Sequence, residues 1–322
     1  MSNAAQAMGA GARGRGRLAD YAPTYGALAA LVLLLVANSA LTPNFFDVNN
    51  FRNILLQVSP TVLVAVGMTF VIATGGIDLS VGSVMAIASA VAAASLDGGA
   101  GLAVLLGLAA ALGAGLFNGA LISGFRIQPI IVTLALLISG RGVAQVLSDG
   151  RLVPFSNPSF EYLGRGVVAG LPVQVIVTAA VVALAIFGMR ATAFGRYVVA
   201  VGGNEAAARL AGVKVHRTKI AVYALSGALA GLAGLIETAR LGASDAQKVG
   251  INIELDAIAA TVVGGTPLTG GRATVVGTVV GALIMQVITT SFNMNGFAYS
   301  WSLVIKAAII IVAVYIQRPK LA

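Results

Sequence analysis

The chain has 322 residues, of which 58% are hydrophobic and 10% charged, and its 20 Lys and Arg against 11 Asp and Glu give a formal charge of +9. With a mean hydropathy of +0.95, this composition excludes an ordinary soluble globular protein and places the chain in the membrane class. There is no cysteine and one histidine, His216, which excludes disulfide and thiolate chemistry and argues against a metal site; no cofactor is expected.

Residues 1–24 read as a disordered cytoplasmic tail carrying Arg13, Arg15 and Arg17. The apolar run behind it is too long for a cleavable signal, so an uncleaved first span is expected. The remaining residues, 25–322, read as one transmembrane domain: an all-α polytopic bundle packed through small residues. Ten apolar segments can be marked, at 25–42, 54–74, 79–96, 101–122, 129–148, 172–189, 219–239, 254–266, 273–292 and 299–317. All but the short eighth approach the roughly 20 residues needed to cross the hydrocarbon core. With the N-terminus inside, the inner segments hold thirteen cations: Arg13, Arg15, Arg17, Arg126, the six of residues 190–219, Arg272, Arg318 and Lys320. The outer loops hold five, Arg52, Arg151, Arg165, Arg240 and Lys248. Basic residues favour the cytoplasmic side, so both termini are expected there. Cations scattered between apolar spans, without interleaved aromatics on one face, exclude a nucleic-acid surface.

The spans are rich in Gly and Ala, notably Gly107 to Gly119 and Gly227 to Gly234. Lipid gives no hydrophobic drive between helices, so close approach through small residues must hold them. Two Gly-broken turns, Ala73 to Gly82 and Val263 to Gly271, fall in opposite halves on the expected cytoplasmic side and hint at an internal repeat with broken helices. Asp78, in the first turn, reads either as a helix N-cap, the simpler reading, or as a pathway residue. The outer loop from Ser148 to Pro172 is long, and its Phe155, Phe160 and Tyr162 argue that it is ordered.

Residues 190–219 form the one long charged interruption, with Arg190, Arg196, Arg209, Lys214, Arg217 and Lys219 against Glu205. Asn204 can cap a two-turn helix that Gly212 ends in a left-handed turn. Glu205 and Arg209, four apart, can pair, and Ala206, Ala207, Leu210 and Ala211 make a smooth strip. So short a helix needs a surface. Two readings fit: a peg that docks on a cytoplasmic partner, or a helix lying on lipid head groups.

Chemistry of other kinds is missing from the pattern. No G-x-x-x-x-G-K-[ST] run occurs, so ATP is not bound by that route, and no catalytic triad or carboxylate pair is present. The acidic residues lie in tails, loops or span ends, which counts against proton coupling. Arg141 and Lys306, inside spans, could snorkel, contact a solute or pair with Glu237, Glu254 or Asp256, and a structural ion pair is the preferred reading. Asn118, Gln145 and Gln286 are neutral groups suited either to weak contact with a hydroxylated solute or to interhelical hydrogen bonds.

Gly67-Met68-Thr69 with Gly75-Gly76-Ile77-Asp78-Leu79-Ser80-Val81-Gly82-Ser83, then Gly202-Gly203-Asn204-Glu205-Ala206-Ala207, then Glu254 to Ala260 with Val263-Gly264-Gly265-Thr266, resemble the permease subunits of ribose-type sugar ABC importers, in the branched-chain/ribose permease superfamily. The likeness runs from about Thr42 to the C-terminus. It implies a non-catalytic homodimeric permease of the bacterial inner membrane that moves a monosaccharide by alternating access. It also implies a cytoplasmic ATPase with two nucleotide-binding domains in one chain and a periplasmic or lipid-anchored sugar-binding protein. On this reading Gly202, Gly203, Asn204, Glu205, Ala206, Ala207 and Leu210 couple to the ATPase, and Asp78, Asn118, Gln145 and Gln286 are pathway candidates. Arg52, Arg151, Arg165 and Lys248 are candidates for docking the binding protein. The competing readings are an ion-coupled secondary transporter and a membrane scaffold that recruits a cytoplasmic protein.

Overall fold

A computed structural model describes residues 24–317. The expected N-terminal tail and the cations Arg13, Arg15, Arg17, Arg318 and Lys320 lie outside the described residues. Thirteen α-helices follow one another: α1 Thr24–Leu41, α2 Val48–Ala73, α3 Val81–Ala94, α4 Ala100–Gly124, α5 Pro129–Leu147, α6 Pro158–Arg165, α7 Val173–Ala191, α8 Ala193–Gly203, α9 Glu205–Leu210, α10 Val215–Leu241, α11 Ile253–Val263, α12 Val275–Met294 and α13 Tyr299–Gln317. Each of the ten apolar segments read from the sequence is a helix. Seven of them (α1, α2, α4, α5, α7, α10 and α12) are long and apolar enough to cross a membrane, so the chain is a multi-pass, all-helical membrane protein. Two short antiparallel pairings complete it, Val153–Pro154 with Ala243–Ser244 and Val167–Val168 with Leu171–Pro172.

The bundle is layered by burial. α2 and α10 run through its middle, with α3, α11 and α12 against them, whereas α1, α4, α5 and α7 turn most of their surface outward. Close approach is built from glycine. A Cβ at Gly119 of α4 would stand 2.7 Å from Ile220 Cα, and one at Gly227 of α10 would stand 2.5 Å from Ala111 O and 2.9 Å from Gly115 Cα. The α4–α10 contact is therefore backbone on backbone, as the small-residue pattern required. Hydroxyls bridge the remaining helices: Thr69 and Thr278 meet at 2.7 Å, and the Thr238 hydroxyl donates to Ser89 Oγ at 2.6 Å.

Pro60 sits inside α2 and has no N–H for the carbonyl of Leu56. That carbonyl accepts instead from Gln174 Nε2 at 2.8 Å and Arg240 Nη1 at 3.3 Å. One missing hydrogen bond thus recruits α7 and α10 to α2. The loop from Ser148 to Pro172 is ordered as expected, with Phe155 edge-on to the buried Phe160 at 5.5 Å and the Asn157 side chain capping α6.

Ion pairing matches the expectation for one cation and not for the other. Lys306 reaches Asp256 at 3.0 Å. Arg141 forms no ion pair among the described residues; its guanidinium donates to the carbonyls of Ala246 and Val249 at 3.0 and 2.6 Å. The loop carbonyls after α10 lie within its reach, and its charge feels Glu254 and Glu237 only at longer range.

Candidate functional site

α9 is a six-residue helix held at both ends. The Asn204 carboxamide oxygen accepts from Ala207 N at 2.9 Å, and Asn204 is extended, as an N-cap must be. At the other end Gly212 adopts φ +82°, Val213 N donates to Ala208 O at 3.0 Å and Gly212 N to Arg209 O at 3.0 Å. This is the paired closure of a Schellman cap, in which only a residue tolerant of left-handed φ fits comfortably. Ala208 is buried with Val201 and Val215, and Val213 packs on the same cluster. The helix is thereby anchored by one face. Its other face, Ala206, Ala207, Leu210 and Ala211, is exposed, and Leu210 is 91% exposed.

Glu205 is the electrostatic tether of that helix. It accepts from Arg209 at 3.0 Å, the pair expected from the spacing, and from Lys219 of α10 at 2.7 Å. The Lys219 hydrogen bond, with the Lys219 and Arg209 charges, outweighs partial desolvation and holds the Glu205 carboxyl below its usual value. Sequence spacing showed the first partner. The second lies fourteen residues away across a turn, and no local signal marks it.

The glycines before α9 sit at a three-way junction. A Cβ on Gly202 would collide with Ala73 O and lie 2.6 Å from Gly271 N, and Gly271 N itself donates to Ala73 O at 3.0 Å. Gly270 approaches Gly75 just as closely, its Cβ position lying 2.8 Å from Gly75 N. The two Gly-broken turns compared in the sequence therefore touch each other, and the end of α8 rests on both. α8 thus links α9 to the end of α2 and to the α11–α12 turn by direct backbone contact.

Beyond the first turn lies a polar cluster. The Asp78 carboxylate is 1% exposed; one oxygen accepts from Ser80 N at 3.0 Å and Ser80 Oγ at 2.6 Å, the other from Ser226 Oγ at 2.8 Å. Because the Ser80 hydroxyl spends its proton on Asp78, it accepts from Asn118 Nδ2 at 2.9 Å. Asp78 is therefore not the expected N-cap: Ser80 takes the cap position of α3, and Asp78, bonded to Ser80 and to Ser226, joins the α2–α3 turn to α10. The sequence argument that acidic groups lie at the ends and loops is also qualified, since this loop is interior.

The four pathway candidates are not one site. Asp78 and Asn118 share the cluster above, whereas Gln286 donates to Gln57 Oε1 at 2.8 Å and Gln145 stands half-buried on α5. Of the four basic docking candidates, all are exposed. Arg151 and Lys248 lie on adjoining loops, joined by the strand pairing and by Gln247 Nε2 donating to Gly150 O at 3.2 Å. Arg165 pairs with Glu161 at 2.7 Å and donates to Arg240 O at 2.8 Å, while Arg52 stands apart on α2. Among the described residues no group of His, Asp and Glu is placed to hold a metal ion.

Residues 50–314 match a family described as "Branched-chain amino acid transport system / permease component". The chain belongs to that permease family. Within it, the permease is 42% identical over 299 residues to the ribose import permease protein RbsC of Escherichia coli (strain K12), covering 91% of this chain and 93% of that one. It is 42% identical to the galactofuranose transporter permease protein YtfT of the same organism, over 91% of this chain and 89% of the relative. It is 36% identical to the L-arabinose ABC transporter permease protein AraH of Azospirillum brasilense, over 95% and 91%. No solved structure matches the permease. The resemblance carried by the 75–83, 202–207 and 254–266 motifs is borne out.

Proposed function

We propose that the chain is the membrane-spanning subunit of an ATP-driven importer for a monosaccharide in the bacterial inner membrane. The observation that carries this is the near full-length likeness to permeases named for ribose, galactofuranose and L-arabinose. The chain crosses the membrane ten times with both termini inside, α3, α11 and α13 joining the other seven spans, and works as a homodimer. Its partners are an ATPase with two nucleotide-binding domains and a sugar-binding protein outside, the latter meeting the loops of Arg52, Arg151, Arg165 and Lys248.

α9 is the part that receives motion. Its free apolar face, its anchored rear and the Gly202 junction behind it support a rigid-body push: the ATPase moves α9, α8 follows, and the two glycine turns shift the ends of α2 and α12. The energy for switching between outward and inward openings comes from the partner, which binds the two states unequally. Asp78 stands three residues past Gly75 of that junction and Asn118 is bonded to Ser80 beside it, where such a shift would alter the pathway. Uptake of radiolabelled ribose, arabinose and fructose into proteoliposomes holding the permease, its ATPase and its binding protein tests this. Uptake of at least one should require ATP on the ATPase side; uptake that survives an inactive ATPase and collapses with the proton gradient would overturn it.

A further inference from the structure

A cleft of about 720 Å³ opens between the C-terminal turn of α4, the first turn of α5 and the start of α10, beside α9. Its volume lies in the range of about 300–1,000 Å³ typical of small-molecule sites. Five permanent cations line it, Arg126, Arg209, Lys214, Arg217 and Lys219, against the single carboxylate of Glu205. Glu205 is already engaged by Arg209 and Lys219, so it does nothing for the rest. The side chains of Arg126, Lys214, Arg217 and His216 have no hydrogen-bond or ion-pair partner among the described residues.

Two further features set this cleft apart from ordinary cationic decoration of helix ends. Both helices that start there do so without a side-chain cap, α5 at Gln128 and α10 at Lys214, and each turns the positive end of its dipole to the cleft; the free N–H groups lie in the first turn of α10, because α5 begins with Pro129, which has none, and Ile131 N already donates to Gln128 O at 3.0 Å. Arg126 is also held at φ +56°, a left-handed conformation that a non-glycine residue seldom adopts. Next in the chain to the lining residues, Phe125, Ile130 and Ile131 are exposed at 75%, 40% and 58%. A ligand with a phosphate at one end and acyl chains at the other would satisfy both zones.

We propose that this cleft binds the phosphate head group of an anionic phospholipid, with Arg126 and Arg217 as its principal contacts and the acyl chains lying along α4 and α5. A basic pocket between helix ends at the cytoplasmic surface suits such head groups, and each cation there strengthens binding about fivefold. The lipid would sit against Glu205 and Arg209 and so beside the helix that receives motion. That placement rests on the function proposed above; the binding itself does not.

The test uses the full-length chain purified in neutral detergent, with lipid retention read by native mass spectrometry. Phosphatidylglycerol, phosphatidylcholine, sn-glycerol 3-phosphate and inorganic phosphate are offered in parallel. Phosphatidylglycerol should be retained and phosphatidylcholine should not, and the Arg126→Gln/Arg217→Gln double variant should weaken retention about thirtyfold. Arg196→Gln, an exposed cation away from the cleft, should leave it unchanged. Equal retention of phosphatidylcholine, or phosphatidylglycerol binding that ignores the double variant, would overturn the site. Variant-sensitive binding of the two soluble phosphates without the lipid would overturn the lipid as its occupant. A double variant that keeps the lipid but loses the ATPase subunit would show a protein-docking surface instead. Because none of these readouts involves transport, failure here leaves the proposed function standing.

Discussion

Replacing Gly202 by Ala is the smallest change that separates a mechanical junction from a mere neighbour. Both Gly202 and Gly203 are in α8, where Ala is favoured over Gly by up to about 1 kcal/mol. At Gly203 the added methyl would meet only Gly271 Cα at 3.9 Å, so that gain is kept. At Gly202 it would collide with Ala73 O and press on Gly271 N at 2.6 Å, two backbone atoms already bonded to each other. Neither can rotate away. Overpacking costs about 1–3 kcal/mol and loss of the Gly271–Ala73 hydrogen bond about 1 kcal/mol more. The adjacent variants should therefore differ in stability by about 2–4 kcal/mol in opposite directions from the parent. Thermal unfolding of the purified chains reads the stability. Stimulation of ATP hydrolysis by sugar-loaded binding protein in the assembled transporter reads the coupling, which Gly202→Ala should reduce severalfold. Identical melting of the two variants, or full stimulation in Gly202→Ala, would refute the junction.

Glu205→Arg should place like charges against Arg209 and Lys219 and release α9, so that ATP hydrolysis continues while uptake falls at least tenfold, as measured in proteoliposomes. Because Lys219 and Arg209 hold the Glu205 carboxyl below its usual 4.5, the tether contributes fully above that value and is lost as pH falls through the lowered one. The stability difference between the parent and Glu205→Gln should accordingly be constant near neutrality and vanish only in acid, as followed by melting across pH. Asp78→Ala would strand three donors in a buried site and should cost about 3–5 kcal/mol, visible as loss of monodisperse protein in size-exclusion chromatography. Lys306→Met should destabilise by about 1–2 kcal/mol, because Asp256 retains 29% side-chain exposure, and Asp256→Leu in the same chain should recover most of it in a double-mutant cycle.

What could be read in advance was local. The caps of α9, its Glu205–Arg209 pair and the glycine stripes of α4 and α10 follow from spacing, because each joins residues within one or two turns or marks a face by repetition. The partners that give those features meaning lie far apart in sequence. Nothing in the run around Pro60 says that Gln174 and Arg240 will take the carbonyl it frees, and nothing near Glu205 names Lys219. The glycine turns at 73–82 and 263–271 were legible as similar, yet their contact depends on the way α2 and α11 descend to one level. Asp78 was legible as a turn residue, whereas its burial depends on Ser226, 148 residues on. Arg141 shows the converse. Its need for compensation was legible, but loop carbonyls lie nearer to it than the carboxylates do, and charge pattern alone does not rank the two.

The chain has no cysteine, so a single Leu210→Cys substitution creates a unique thiol on the exposed face of α9. In membranes stripped of the ATPase subunit, a membrane-impermeant maleimide should label it only in inverted vesicles; rebinding the ATPase should protect it, and a short bifunctional reagent should then join the two. Labelling in right-side-out vesicles, or a thiol that reacts freely whether or not the ATPase is bound, would contradict the claim that α9 is where this permease takes up its motion.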